Sequence, residues 1–263
     1  MAGKPISVIK IGGTFAEKDT SILHLAEELK NLLRRDNRVL LVHGGGPFIS
    51  QMQQRYEITP RFSDGLRQTT PKEMLLVDSA LAGRVNKHLV RLFNRAGIKA
   101  WGLSGADAGI LLAESLTGAA KENRTGRIVS VDNRPLMQLW DAAYLPIFAP
   151  VASDKQGMGI NVNADEAALA LAVSLKVDNL IFFSDVPGVL DNRKTIRHLT
   201  PQLAEEKIAQ SVISNGMIPK VRSAIRALDG GVVSVFIGQY SQPGDLKKTV
   251  SGLRGTLIAI GGS

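Results

Sequence analysis

RVLLVHGGGPFISQMQQRY, residues 38–56, decides the fold of this chain. Val39 to Val42 form an apolar run too short for a helix and suited to a strand buried on both faces. Pro47 then stands where a helix can begin, and Ile49, Met52 and Tyr56 follow at spacings that share one helical face. Between the two elements lie Gly44, Gly45 and Gly46. A strand-to-helix turn does not need three glycines. Glycine lets a ligand approach the backbone, and the N–H groups at a helix start attract anions, so this turn is expected to hold one.

The same grammar recurs outward in both directions. SVIKIGG (7–13), KAWGLSG (99–105), YLPIFAPVAS (144–153), NLIFFSDV (179–186) and VVSVFIG (232–238) are expected strands, several ending in glycine. Amphipathic segments separate them. In the clearest, Thr70 caps, Pro71 takes the first helical position and Glu73 completes a capping box. Met74, Val77, Leu81, Val85, Leu89 and Leu92 then recur at three and four until Gly97. Alternating strands and helices predict an α/β protein with a mostly parallel sheet. Ile110 to Asn133 breaks the rhythm: ILLAESL and RIVSVDN flank a polar, glycine-containing stretch and predict a hairpin on the sheet edge. There is no repeat, low-complexity segment or linker, and a cut into two lobes falls best at 174–178.

Composition removes several classes of function. The 263 residues include no cysteine, which excludes disulfides, thiolate metal sites and thiol nucleophiles. The longest apolar stretch, Ala167 to Leu175, is far short of the roughly 18 residues that span a bilayer, and the N-terminus enters a strand without a signal-peptide block. A cytoplasmic protein is expected. Lys and Arg number 32 against 24 acids, a net charge of +8 that favours anionic partners. The cations are scattered along helices and only 5% of residues are aromatic, so no stripe or stacking platform for nucleic acid is present.

Individual residues narrow the chemistry. Lys10 lies in a strand that reads as buried, where an ammonium is costly unless it meets an anion. Asn161, Asn163 and Asp165 alternate just before the helix EAALALAVSL, so they project from one side of an extended segment, or cap the helix. Lys220 follows Ser214-Asn215-Gly216-Met217-Ile218-Pro219 at another helix start. Arg67, in Ser63-Asp64-Gly65-Leu66-Arg67, suits bidentate capture of a carboxylate. The glycine clusters are not a Walker P-loop, for no Lys-Ser/Thr follows, and none is the G-x-G-x-x-G of a dinucleotide fold. HRD and DFG are absent as well. His24, His43, His88 and His198 show no metal-ligand spacing, and no protein-built metal site is expected. His43, beside the triple glycine, reads as a turn residue or one that supports the site from behind.

In order along the chain stand Lys10-Ile11-Gly12-Gly13, His43-Gly44-Gly45-Gly46, Gly65-Leu66-Arg67, Gly83-Arg84-Val85-Asn86-Lys87, Gly102-Leu103-Ser104-Gly105, Asn161-Val162-Asn163-Ala164-Asp165, Ser184-Asp185-Val186-Pro187-Gly188-Val189 and Gly216-Met217-Ile218-Pro219-Lys220. Together they resemble the amino acid kinase family, and within it the branch that phosphorylates N-acetyl-L-glutamate. The likeness runs to Gly255-Thr256-Leu257-Ile258. It implies an α/β/α sandwich in two lobes, 1–175 for the amino-acid substrate and homodimer contact, 176–263 for the nucleotide. It implies transfer of a phosphoryl group from MgATP to the γ-carboxylate of N-acetyl-L-glutamate, in arginine biosynthesis, with Mg²⁺ held mainly by the nucleotide phosphates. Carried over by motif, Lys10 and Lys220 stabilise the moving phosphoryl group and Asp165 orients them. Gly12, Gly13, Gly44 and Gly45 offer N–H groups, the first two to the nucleotide and the last two to the attacking carboxylate. Arg67 and Asn161 grip the substrate. Ser184, Asp185, Gly188, Val189, Leu190, Ser214, Gly216 and Met217 line the nucleotide pocket.

The resemblance has two departures. Arginine-inhibited hexamers of the family carry an extra N-terminal helix, whereas six residues precede Ser7 here, so a dimer insensitive to arginine is expected. Gln68-Thr69 replaces the usual Val-Thr, which sets a polar side chain beside Arg67. The nearest rival is a kinase for α-aminoadipate on an acidic carrier protein, in lysine biosynthesis. The +8 charge suits it, while Asn163-Ala164-Asp165 and Gly65-Leu66-Arg67 oppose it. A non-catalytic nucleotide-binding regulator is the other, opposed by the presence of both lysines and Asp165.

Overall fold

The computed structural model describes residues 4–116, 122–214 and 216–261. The glycine-containing loop of the expected hairpin, around Gly118, and Asn215 lie outside them. Eight strands build the central sheet: β1 (Ile6–Ile11), β2 (Arg38–His43), β3 (Ala100–Ser104), β4 (Leu145–Ala149), β5 (Asn179–Phe183), β6 (His198–Leu199), β7 (Ser234–Gly238) and β8 (Thr256–Ala259). Their order is β6-β8-β7-β5-β1-β2-β4-β3. All pairings are parallel except β7 with β8. β1 is flanked by β2 and β5, so the sheet runs unbroken from the first part of the chain into the last.

Helices cover both faces: α1 (Asp19–Leu33), α2 (Gly46–Arg55), α3 (Pro71–Asp78), α4 (Asn86–Arg95), α5 (Arg134–Asp141), α6 (Ala164–Leu175), α7 (Pro201–Ala209), α8 (Met217–Asp229) and α9 (Asp245–Val250). Two apolar cores result, one on each side of the sheet. Successive strand residues point to opposite faces. Ile9 and Ile11 therefore join Leu25 and Leu29 of α1 and Leu89 of α4, while Val8 joins Leu171 of α6 and Ala224 of α8. Lys10 shares the face of Val8, and this parity aims it at α6 and α8.

The long segment from Thr70 keeps its expected start and core face. Thr70 Oγ1 accepts from the Glu73 amide, Glu73 accepts from the Thr70 amide, and all six of the expected apolar residues are buried. It ends near Gly97, whose positive φ of 80° favours glycine. Its middle differs: Ser79–Val85 is a π-helix between α3 and α4. In α2, Phe48, Ile49 and Gln53 are the buried residues, whereas Tyr56 lies past the last turn and is exposed.

Ile110 to Asn133 does form a hairpin, Leu111–Ser115 against Thr125–Val131. It does not extend the central sheet. With Val151–Ser153 and Gly159–Val162 it closes into a separate four-stranded barrel. The run YLPIFAPVAS divides at Pro150 into two strands, Leu145–Ala149 and Val151–Ser153, although Pro146 is accommodated inside the first. The second half turns away and pairs with the barrel.

Candidate functional site

A cleft of about 760 Å³ opens at the carboxyl ends of β1, β2 and β5, where open α/β sheets place their ligands. Gly12 and Gly13 leave β1, and Gly44 to Gly46 leave β2 into α2. The two loops touch. A Cβ on Gly13 would lie 2.8 Å from Pro47 Cδ and 3.0 Å from the Gly46 nitrogen, so no side chain fits there. Gly45 is equally closed in, by Leu81 of the π-helix. The widened turn thus presses a buried leucine onto the glycine loop; π turns are frequent at functional sites.

His43 supports this loop from beneath. It is fully buried, and burial lowers its pKa to about 4, opposed by its bond to Gly44. The neutral ring donates from Nδ1 to the Gly44 carbonyl (2.9 Å) and accepts at Nε2 from Asn86 Nδ2 (3.2 Å). Asn86 in turn donates to the Ile147 carbonyl at 2.8 Å. His43 does not line the cleft.

Asp165 joins two lysines from opposite ends of the chain. Its Oδ1 is 2.7 Å from Lys10 Nζ and its Oδ2 2.8 Å from Lys220 Nζ. Burial pushes the carboxyl up, but the two ammonium groups outweigh it and hold the group below its ordinary range. It is therefore ionised at neutral pH. Asn163 is the cap of α6, accepting from the Asp165 and Glu166 amides. Of the three alternating residues, one caps, one carries the lysines, and Asn161 is buried facing the cleft.

Arg67 is held from one side by α2. It donates to Gln53 Oε1, to the Gly46 carbonyl (3.1 Å) and to Ser50 Oγ (2.9 Å). Gln53 is oriented by Glu73, which accepts from its Nε2 at 2.9 Å. The guanidinium also lies 4.8 Å from the centre of the Phe62 ring. Three of its five N–H donors are used, both of those on Nη2 among them, which leaves the Nε–H and one on Nη1. Asn161 Nδ2 donates to Thr69 Oγ1 (2.9 Å), which ties it to the residue after Leu66–Gln68, the short strand of Arg67. Gln68 does not line the cleft; its amide accepts from Asn123 instead.

Every expected substrate- and nucleotide-binding residue lines the cleft, as do Lys10 and Lys220, with Asp165 bonded behind them. Ser184, Asp185, Gly188, Val189, Leu190, Ser214, Gly216 and Met217 form its far wall. There the Val189 amide donates to Thr256 Oγ1 (2.8 Å), and Thr14 Oγ1 donates to Asp185 (3.0 Å) across the mouth. Sequence reasoning missed Thr14, Phe62, Leu81, Thr125, Val212 and Ile213 as lining residues. Thr14 carried a signal, as the residue after Gly12-Gly13; Thr125, between Arg124 and Gly126, carried none. Among the described residues no group of three or more His, Asp or Glu could hold a metal, and no helix is long and apolar enough to cross a membrane.

Comparison with known proteins agrees with this geometry. The pattern described as "Amino acid kinase family" matches residues 5–239. An acetylglutamate kinase of Geobacillus sp. (strain WCH70) is 39% identical over 241 residues, 92% of each chain. One of Chloroflexus aurantiacus (strain ATCC 29366) is 41% identical over 234 residues, 88% of this chain and 91% of its own. The crystal structure of smu.665 from Streptococcus mutans UA159 superposes with a TM-score of 0.83 at 31% identity, covering 97% of this chain and 99% of that one.

Proposed function

We infer the reaction from one premise: this chain belongs to the amino acid kinase family. It is an ATP-dependent kinase that phosphorylates the γ-carboxylate of N-acetyl-L-glutamate, a step of arginine biosynthesis, as the names and high coverage of its relatives support. The observation that carries the reading is the Lys10–Asp165–Lys220 bridge, set between the glycine loops and the Arg67–Asn161 corner.

The attacking carboxylate is already ionised at pH 7, so no general base is needed. The difficulty is to bring it against the anionic γ-phosphate. Lys10 and Lys220 neutralise the charge that spreads over the transferring group, and the backbone N–H groups of Gly44 and Gly45 hold the carboxylate, with Gly12 and Gly13 on the phosphates. Asp165 keeps the ammonium groups together and aimed. Arg67 and Asn161 take the substrate's α-carboxylate and amide, and the wall from Ser184 to Met217 receives the nucleotide. ATP would enter as its Mg²⁺ complex, with the cation held mainly by the phosphates as the family resemblance implies; both oxygens of Asp165 are already paired with lysines.

In this reading residues 1–175 hold the amino-acid substrate and, through Gly12 and Gly13, reach the phosphates, while 176–263 hold the rest of the nucleotide. A homodimer through the first lobe is supported by β3, an edge strand with one unpaired side and a half-exposed Trp101. Biosynthetic relatives support a cytoplasmic location.

Hydroxylamine trapping of the acyl phosphate, with MgATP and N-acetyl-L-glutamate, L-glutamate or carrier-linked α-aminoadipate, tests the assignment. Product with N-acetyl-L-glutamate alone is expected. Product only with the carrier would keep the phosphoryl chemistry and overturn the substrate.

A further inference from the structure

Arg124 and Asp154 form a buried ion pair that lies outside the cleft. Arg124 donates from a guanidinium nitrogen to Asp154 Oδ2 at 2.9 Å, and both side chains are only 9% exposed. A buried charge pair is seldom kept for stability alone, since two apolar residues often serve as well. Its place in the barrel suggests another use.

Three segments meet at Arg124. Its amide donates to the Thr69 carbonyl (2.6 Å), and its own carbonyl accepts from the Asn161 amide (2.7 Å). The next residue continues the junction: Thr125 Oγ1 donates to the Arg67 carbonyl (2.6 Å) and accepts from the Thr69 amide (3.0 Å). Residues 124 and 125 therefore fasten the strand of Arg67 to the strand of Asn161. Asp154 controls the approach to the latter. Its Oδ1 accepts from the Gln156 and Met158 amides, both at 2.9 Å, which shapes the turn leading into Gly159–Val162. The ion pair joins the fastener to that turn.

We propose that Arg124, through its buried pair with Asp154, is a positioning residue that sets the separation of Arg67 and Asn161 and so fixes recognition of the amino-acid substrate. Arg124 does not line the cleft. It acts on Asn161 directly through the backbone and on Arg67 by way of Thr69 and Thr125, with no bond to the lysine bridge or the nucleotide wall. The inference rests on the assignment of Arg67 and Asn161 to N-acetyl-L-glutamate.

The test is steady-state kinetics of Arg124→Met, Asp154→Asn and Arg124→Lys, with the melting temperature of each. The Met variant keeps much of the side-chain length without the charge, and the Asn variant keeps the oxygen that shapes the turn. Both are expected to raise the KM for N-acetyl-L-glutamate about tenfold, with the KM for ATP and kcat within twofold. Arg124→Lys should restore most of the loss. A purely structural pair would lower the melting temperature and leave the KM in place; an unchanged KM in the folded variants overturns the proposal. Should Arg124→Met fail to fold, Asp154→Asn and Arg124→Lys decide alone, by a KM that moves or one that does not. Arg67→Ala in the same assay separates the two levels. If it leaves the N-acetyl-L-glutamate KM unchanged, the substrate assignment has failed, and with it the basis of this inference.

Discussion

Lowering the pH from 7 to 5 should destabilise this protein through His43 in particular. An unfolded histidine titrates near 6.5, whereas the buried ring titrates at about 4. Between those values the unfolded chain takes up a proton that the folded chain refuses. The contribution of the neutral ring is thus fully present above pH 6.5 and is lost as the pH falls toward 4. Proton linkage over that interval gives a loss of about 2 kcal/mol between pH 7 and 5, and about 3 kcal/mol by pH 4. Urea unfolding at each pH measures it; with an m-value of about 3 kcal/mol per molar, the midpoint should move by roughly 0.7 M between pH 7 and 5. His43→Gln supplies the control. Its amide can donate to the Gly44 carbonyl and accept from Asn86, as the neutral ring does, but it cannot titrate. The ion pair of His88 with Asp19 is common to both proteins and cancels in the comparison. The variant should lose about 2 kcal/mol less than the wild type over this range. Parallel pH profiles would refute the reasoning, because they would mean that His43 titrates alike in both states.

Lys10→Ala and Lys220→Ala should each lower turnover at least about 100-fold, on the order of 2.7 kcal/mol, without unfolding the chain; a thermally intact Lys10→Ala with near-normal turnover would contradict the role. Arg67→Ala should act chiefly on the KM for N-acetyl-L-glutamate, and a change confined to the KM for ATP would place the arginine wrongly. Gly13→Ala forces a Cβ against Pro47 and the Gly46 backbone, and should cost about 1–3 kcal/mol while raising the KM for ATP. An unchanged urea midpoint there would show that the loops can separate freely.

Six of the eight central strands were legible because buried parallel strands read as short apolar runs, several ending in glycines where a ligand would sit. His198–Leu199 and Thr256–Ala259, at one edge, were not expected, being two and four residues long with little apolar run of their own. Lys10 was legible for the opposite reason, as a charge where none should be. What local patterns did not reveal depends on long-range assembly. The stretch 144–153 reads as one strand, and only pairing with Gly159–Val162 shows that Val151–Ser153 belongs to a barrel. The π-helix keeps the same apolar residues buried that a continuous α-helix would, so periodicity could not disclose it. Tyr56 matched the helical face in spacing but falls beyond the last turn. Arg124 and Thr125 sit among polar residues with no periodicity, and their importance comes from the two strands that fold onto them.

The tether of Arg67 to α2 has a thermodynamic consequence. An arginine gathered from solvent by an arriving ligand gives up rotamer freedom worth about 2 kcal/mol at the moment of binding. Here Gly46, Ser50, Gln53 and the Phe62 ring have already immobilised the guanidinium. That loss of conformational entropy is incurred once, when the protein folds, and not again at each encounter. On the proposed assignment of Arg67 to the amino-acid substrate, this corner is a preorganised receptor, and the donors still open on the guanidinium can bind with little entropic opposition.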